Sequence, residues 1–136
     1  MPFHDLRPGA LALLLMLVLS GCLSMEQAAT KQKRHQQLQS YDHTVRWGDL
    51  NEIYQYMKPE DRPPHPQEDL DRFRVTGYEV VMPAVELEEG RIERKVRIEY
   101  IERDRQVVRT LMDDQIWAYD QARGQWFRVN PPAVFK

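Results

Sequence analysis

The first periodic stretch of the chain predicts a helix at residues 26–46. This stretch is rich in Gln, Lys, Ala and Arg and contains neither Pro nor Gly, a composition that favours helix. Leu38, Tyr41 and Val45 recur at helical spacing and give its second half an apolar stripe, whereas its first half is polar all round. The stripe must therefore be covered by another part of the chain.

A second, shorter helix is predicted after a break at Trp47-Gly48. Asp49 is placed as its N-cap and Glu52 at the third helical position, which is the pattern of a capping box. One face of this helix is apolar and carries Leu50, Ile53, Tyr54 and Met57. Pro59 ends the helix, and the proline-rich residues 58–72 are predicted as an irregular connection.

From Phe73 onward the hydrophobic pattern has the period of a β-strand. Four strands are predicted, at about residues 73–87, 91–102, 106–119 and 125–130, and the short turns between them favour antiparallel hairpins. Pro83 cannot donate a ladder hydrogen bond, so the first strand is expected at an edge or bulged at that point. The solvent-facing side of the second strand is expected to carry Arg91, Glu93, Lys95, Arg97 and Glu99.

The turn positions predict which residues face one another in the sheet. Pairing across Glu89-Gly90 would place on one face the apolar residues Val81, Val85, Leu87, Ile92, Val96 and Ile98. A three-residue loop at 103–105 would set Arg94 opposite Asp114, where the two would form an ion pair at core-phase positions.

The last predicted hairpin gathers aromatic residues. With residues 121–124 as the loop and Gly124 free to take a positive φ, Tyr119 lies across from Trp126, and Trp117 lies across from Arg128 within cation–π reach. Residue types of this kind are enriched at interface hot spots, so the four form a candidate interaction patch. The alternative is that the carboxy-terminal residues 131–136 fold back and cover the cluster.

The amino terminus has the pattern of a secretory signal. Arg7 precedes an apolar run at residues 10–19, which is shorter than the roughly 20 residues that a membrane-spanning helix needs. Ser20 and Gly21 then lead to the lone cysteine. The predicted organisation is a signal peptide at 1–21, a lipidated cysteine with a tether at 22–30 that reaches at most about 28 Å, and a single domain at 31–136.

The run Leu19-Ser20-Gly21-Cys22 resembles a bacterial lipobox. The resemblance implies cleavage before Cys22, diacylation of its sulfur and acylation of its new amino terminus, and three acyl chains would anchor the protein firmly. Leu23, in place of an aspartate, implies transfer to the outer membrane. The alternative is an ordinary signal peptide with a free cysteine, a thiol that an oxidising compartment would expose to cross-linking.

Composition narrows the class of function. The chain has 136 residues, 19 Lys and Arg against 21 Asp and Glu, and a formal charge of -2, which excludes a multidomain protein and lacks the basic footprint of a nucleic-acid binder. One cysteine and four histidines make no recognisable zinc set. No nucleophile elbow or phosphate loop is present, so no catalytic residue, metal or cofactor is predicted. The expected partners are a membrane, through the lipid anchor, and an envelope protein.

The order of elements resembles the nuclear-transport-factor-like (cystatin-like) α+β family. The resemblance is carried by two helices with a Gly-Asp break, four antiparallel strands, Trp117-x-Tyr119, Gly124-x-Trp126-Phe127 and Pro131-Pro132. It implies an α+β fold in which two N-terminal helices pack on a curved, cone-like, four-stranded antiparallel sheet. Members of that family bind small molecules in the cone, catalyse isomerisation or dehydration, or have no catalytic role, so the fold alone does not choose the function.

Two functions are therefore expected from the sequence. The first is a non-enzymatic binding or interaction module, anchored to the outer membrane and facing the periplasm. The alternative is a small-molecule-binding or isomerase-like protein, with a pocket lined by Tyr54, Arg94, Tyr100, Met112 and Asp114. An ion pair with Arg94 would keep the Asp114 carboxylate ionised and occupied, which disfavours proton abstraction by that group.

Overall fold

A computed structural model, which describes residues 8–136, shows an α+β chain with one long helix and an open, four-stranded antiparallel sheet. Helix α1 (Pro8–Trp47) is followed by three short 3-10 helices at Leu50–Tyr56, Pro59–Asp61 and Leu70–Arg72. The strands are β1 (Phe73–Glu88), β2 (Arg91–Glu102), β3 (Val108–Asp120) and β4 (Gln125–Arg128), and they lie side by side in chain order. The chain divides into two units, Met1–Lys33 and Arg34–Lys136.

The described part of the first unit is helical throughout. Residues 23–30 belong to α1, which confirms the predicted helix from residue 26 and extends it toward the amino terminus; this stretch spans about 12 Å, within the upper limit of about 28 Å for an extended chain. The reason is local, because residues 22–47 contain neither Pro nor Gly to interrupt the helix. In the described part of the chain, no helix combines the length and the apolar character needed to span a bilayer. Arg7 lies outside the described residues.

Helix α1 ends where the break was predicted, at Trp47-Gly48, but the segment that follows is not a second α-helix. Leu50–Tyr56 forms a 3-10 helix, in which residues three apart eclipse, so both Leu50 and Ile53 reach the core. Asp49 is the N-cap as predicted. Its Oδ1 accepts hydrogen bonds from the Asn51 backbone N–H at 2.9 Å and from Asn51 Nδ2 at 2.8 Å, instead of forming the predicted capping box with Glu52.

The β1–β2 hairpin departs from the predicted register. Val80 pairs with Val96 and Glu86 with Ile92, while Val81, Val85 and Leu87 are exposed, so they do not share the buried face of β2 as predicted. Register shifts on either side of Met82 cause the change, and one of them spans Pro83. The expectation that Pro83 lies in a bulged edge strand is confirmed.

The β2–β3 pairing is displaced by one residue from the prediction. Arg94 faces Gln115 and Lys95 faces Asp114, so the predicted Arg94–Asp114 pair is wrong. The loop is longer than three residues, because Gln106 takes a φ of 51° and donates its N–H to Glu102 O at 2.9 Å, which delays the start of β3 to Val108. In contrast, the β3–β4 register is confirmed, with Trp117 opposite Arg128 and Tyr119 opposite Trp126, and Gly124 has a φ of 63°.

The core of the second unit lies between the second half of α1 and one face of the sheet. The predicted stripe is buried and meets alternate residues of β2, and the cluster includes Leu38, Tyr41, Val45, Ile92, Val96, Ile98 and Trp117. A carboxy-terminal segment closes one end, where the Phe135 ring packs at 5.0 Å from that of Tyr100 and 5.7 Å from that of Phe73. Gln67 holds the Phe135 backbone with two hydrogen bonds of 2.7 and 2.9 Å.

Candidate interaction surface

The four residues of the predicted interaction patch lie together, but not on the surface. Trp117, Trp126 and Arg128 are 0%, 3% and 0% exposed, and Tyr119 is half-buried with its ring 5.6 Å from that of Trp126. These side chains therefore belong to the core, and the prediction of a solvent-facing patch is wrong.

The aromatic hairpin is covered from two sides: amino-terminal elements pack on its rings, and, as the alternative prediction had it, the carboxy-terminal segment folds back, with Arg128 Nη2 donating to the Pro131 carbonyl at 3.2 Å. The Trp117 ring makes edge contacts with Tyr41 of α1 at 5.3 Å and with Tyr56 at 6.3 Å. The Arg128 guanidinium lies 5.4 Å from the Tyr41 ring, so its observed cation–π contact is with Tyr41 and not with Trp117. Phe135, expected as part of the cover, packs on Phe73 and Tyr100 instead.

Beneath the hairpin lies a buried ion pair that sequence reasoning missed. Arg128 Nη1 and Nη2 donate to the two carboxylate oxygens of Asp113 at 2.9 and 2.6 Å, and Nη1 also donates to the Tyr41 hydroxyl at 2.6 Å. The Asn130 carbonyl accepts from Arg128 Nε at 2.9 Å. The bidentate geometry and the extra hydrogen bonds are what a buried charge pair requires.

Gln115 extends the ion pair into a network across the sheet. Its Nε2 donates to Asp113 at 2.8 Å, and its Oε1 accepts from Arg94 Nε at 2.7 Å and from the Trp117 indole at 3.1 Å. Arg94 in turn donates to Asp42 of α1, with a 3.1 Å bond from Nη1. Two arginines thus meet two aspartates, and every buried side-chain polar atom in the described residues has a partner.

Two tyrosine hydroxyls in this network are held neutral. Burial raises the pKa of Tyr41 well above the usual range for tyrosine. Burial also raises the pKa of Tyr78, whose hydroxyl donates to Asp42, and the Asp42 charge adds to the effect. Both groups therefore act as neutral hydrogen-bonding partners at physiological pH.

The residues of the predicted pocket do not converge on one site. Tyr54 accepts from the Gln67 backbone N–H at 3.0 Å, and Tyr100 bonds the backbone of Lys136. Arg94 is in the buried network, whereas Asp114 and Met112 lie on the opposite face of the sheet. A cavity beside Tyr41, Asp113 and Phe135 measures about 10 Å³, room for about one water molecule.

The lipobox residues lie in the first unit. Gly21 and Cys22 are exposed in α1, with a free thiol on Cys22, and Leu19 and Ser20 precede them in the same helix. Exposure leaves the Cys22 sulfur accessible to an acyl-transferring enzyme. Lipidation at this position stays a prediction.

The surface that does combine apolar and charged groups is the face of the sheet turned away from α1, which we call the outer face. Its central row is the predicted charged side of β2, from Arg91 to Glu99, and these side chains are exposed or partly exposed. Cross-strand pairs share a face, so Met82 and Asp114 flank Lys95, Val85 and Ile116 flank Glu93, and Glu79 and Met112 flank Arg97. Val85 and Met112 are 48% and 45% exposed.

Charges on the outer face pair across the strands. Lys95 Nζ lies 3.1 Å from Asp114 Oδ1, and Arg97 bonds Glu79. The apolar side chains Met82, Val85, Met112 and Ile116 lie on both sides of this charged row. The result is a mixed surface of apolar strips beside alternating charges.

The second half of β1 adds further exposed apolar side chains at the edge of the sheet. Val80, Val81 and Leu87 are exposed here. Helix α1 contacts the opposite edge, where Gln37 donates to the Trp126 carbonyl at 3.1 Å. Pro83 was the sequence feature that indicated this exposure, because the bulges beside a proline interrupt the alternation by which every second side chain of a strand enters the core.

Compared with family models, curated proteins and solved structures, the chain matches none. The fold class therefore stands on the structure itself, as a long helix with an antiparallel four-stranded sheet.

Proposed function

We propose that this protein is a lipoprotein of the bacterial outer membrane, held through Cys22, whose periplasmic folded unit is a non-enzymatic interaction module. The observation that carries the interaction role is the outer face, where Val85 and Met112 remain about half exposed beside a row of charges. Apolar groups gathered on a surface favour a protein partner over solvent. The anchoring rests on the lipobox sequence and on the exposed Cys22.

The nuclear-transport-factor-like relationship belongs to the same proposal. It is supported by the order of helix and antiparallel strands and by the tryptophan hairpin. The interior favours a scaffold over a reaction site, because the buried carboxylate of Asp113 and the partly buried carboxylate of Asp42 are each bound by an arginine. These groups stabilise the packing of α1 on the sheet, which leaves binding to the surface.

The anchoring half of the proposal is tested by mass spectrometry of protein extracted from membranes. Trypsin should release a peptide that begins at Cys22 and ends at Lys31. We expect this peptide to carry the mass of a diacylglyceryl group and one further acyl chain, and we expect Ser24→Ala, as a matched control, to leave the modification unchanged. An unmodified Cys22, or a chain still beginning at Met1, contradicts the anchor.

The interaction half is tested by placing a photo-crosslinking amino acid at Met112 on the outer face. The matched control carries it at Gln55, an exposed residue of the first 3-10 helix. We expect one adduct of defined mass from the Met112 position in intact cells and none from the Gln55 position. Equal patterns from the two positions contradict an interaction role for the outer face.

A further inference from the structure

We propose that the outer face binds a second copy of this chain, sheet against sheet, with the strands of the two copies antiparallel. The inference rests on the proposed function, because it names the partner of the interaction surface. It follows from the order of charges along β2 and from the positions of the apolar residues beside them.

The charges of β2 complement themselves when the strand is reversed. Along the outer face they run Arg91, Glu93, Lys95, Arg97 and Glu99. If the two-fold axis passes by Lys95, Arg91 meets Glu99 of the other copy and Glu93 meets Arg97. Two-fold symmetry repeats each contact, which gives four pairs of opposite charge.

The charges next to the two-fold axis also balance. Lys95 of one copy meets Lys95 of the other, but each carries Asp114 at 3.1 Å from its ammonium group. Two lysines and two aspartates thus form a neutral cluster, in which each lysine can bond both carboxylates.

Other alignments lose this complementarity. Moving the axis toward Glu93 sets Arg91 against Arg97, and moving it toward Arg97 sets Glu93 against Glu99. Parallel strands in register would place every charge against its own kind. Like charges facing one another across an interface are unfavourable, so the charge order selects one register.

Three of the four apolar residues agree with the same register, whereas Val85, in the row of Glu93, faces Glu79, in the row of Arg97. A two-fold axis between the sheets and perpendicular to the strands keeps β3 over β3 and β1 over β1 while reversing their direction. Met112, in the row of Arg97, then faces Ile116, in the row of Glu93, and Met82 faces Met82. Aligned sheets pack about 10 Å apart, a distance that such side chains fill.

Contact through the face is favoured over strand addition at the free edge of β1. Pro83 and the register shifts beside it interrupt the row of backbone groups that a new strand would need. Between Arg91 and Glu99 the face is about 27 Å long and three strands, or about 14 Å, wide, because β4 pairs only beside the Arg91 end, which gives roughly 400 Å² per copy. An interface of about 800 Å² in total is in the range of weak, transient contacts, so we expect a dissociation constant in the micromolar range.

The test is sedimentation velocity on the full-length protein in detergent, over a concentration range that brackets the micromolar dissociation constant. We expect a monomer–dimer equilibrium for the wild type. Glu93→Arg and Arg97→Glu should each weaken dimerisation at least tenfold, because each sets like charges against one another twice. An equimolar mixture of the two variants should recover dimerisation, since every pair is then of opposite charge, and so should the double variant in one chain.

Matched controls separate this contact from general charge effects. Glu68→Arg and Arg62→Glu make the same charge changes at exposed positions in the proline-rich loop, and dimerisation should be unchanged. Arg97 also bonds Glu79 within its own chain, so urea unfolding midpoints verify that each variant is folded. Recovery in the mixture cannot arise from a structural defect, because both components carry their substitution.

The outcomes distinguish this inference from the proposed function. A wild type that stays monomeric throughout, or variants whose mixture does not recover, overturns the dimer. If the Met112 crosslink then joins a protein of another mass, the interaction module stands with a different partner. An unmodified Cys22 overturns the anchor and leaves the sedimentation result as it is.

Discussion

The buried ion pair between Asp113 and Arg128 offers the sharpest test of the core. Asp113→Ala removes a side chain that is 3% exposed and accepts bonds from Arg128 at 2.6 and 2.9 Å and from Gln115 at 2.8 Å. The guanidinium left behind is fully buried with no counter-charge bonded to it. We expect a loss of about 3–5 kcal/mol in the free energy of unfolding, as for other broken buried pairs.

Removing both charges should cost less than removing one. In Asp113→Leu with Arg128→Met, neither charge of this pair remains and Arg94 keeps its partner Asp42, so the residual cost comes from the lost partners of Gln115 and Tyr41, about 1–3 kcal/mol for each unsatisfied group. The double variant should therefore be at least as stable as Asp113→Ala, although two side chains have changed.

The assay is urea unfolding followed by far-ultraviolet circular dichroism and tryptophan fluorescence. Asp114→Ala is the matched control, since its side chain is 69% exposed in a surface pair with Lys95, and the expected change is within about 0.5 kcal/mol. A cost below about 1 kcal/mol for Asp113→Ala, or a double variant that loses the sum of two single losses, would refute the description of this pair as the charged centre of the core.

Three further predictions concern titration, packing and a turn. Because the pKa values of Tyr41 and Tyr78 are raised on folding, deprotonation favours the unfolded chain, and stability should fall as the pH rises above about 10. In the Tyr41→Phe variant, the tyrosinate absorbance at 295 nm and pH 11 should be unchanged in the folded protein but reduced in the urea-unfolded protein. Phe135→Ala should cost about 3–5 kcal/mol in urea unfolding, and a loss below about 1 kcal/mol would show that the carboxy-terminal segment is not part of the core. Gly124→Ala should lower stability by about 1–2 kcal/mol because its φ is 63°, and an unchanged melting temperature would contradict that backbone requirement.

The elements of the fold follow from local sequence. The end of α1 at Gly48, the alternation of β2, the edge position of Pro83 and the tight turn at Gly124 were all predicted, because each depends on residues close in the chain. The 3-10 helix after Gly48 was not predicted, since apolar residues three apart suit both helix types and only the packing of Leu50 and Ile53 against the core distinguishes them.

An error of one residue in the predicted β2–β3 register put the candidate site residues on the wrong faces of the sheet. Shifting β3 by one residue against β2 reverses every β3 side chain, which turns Trp117 from the surface into the core opposite Ile92 and separates Arg94 from Asp114. Polar side chains at Asp113 and Gln115 occupy buried positions of β3, so its hydrophobic pattern could not choose between the two registers.

By itself, the sequence determined the number and kind of most elements, their antiparallel order and the charged row of β2, because propensity, period and turn chemistry act over a few residues. Only the tertiary structure decided the length of the β2–β3 loop, which side chains of β3 face α1, and the burial of two charges. These depend on which arrangement lets Asp113, Gln115 and Arg128 satisfy one another inside the core, and such partners lie far apart in the chain.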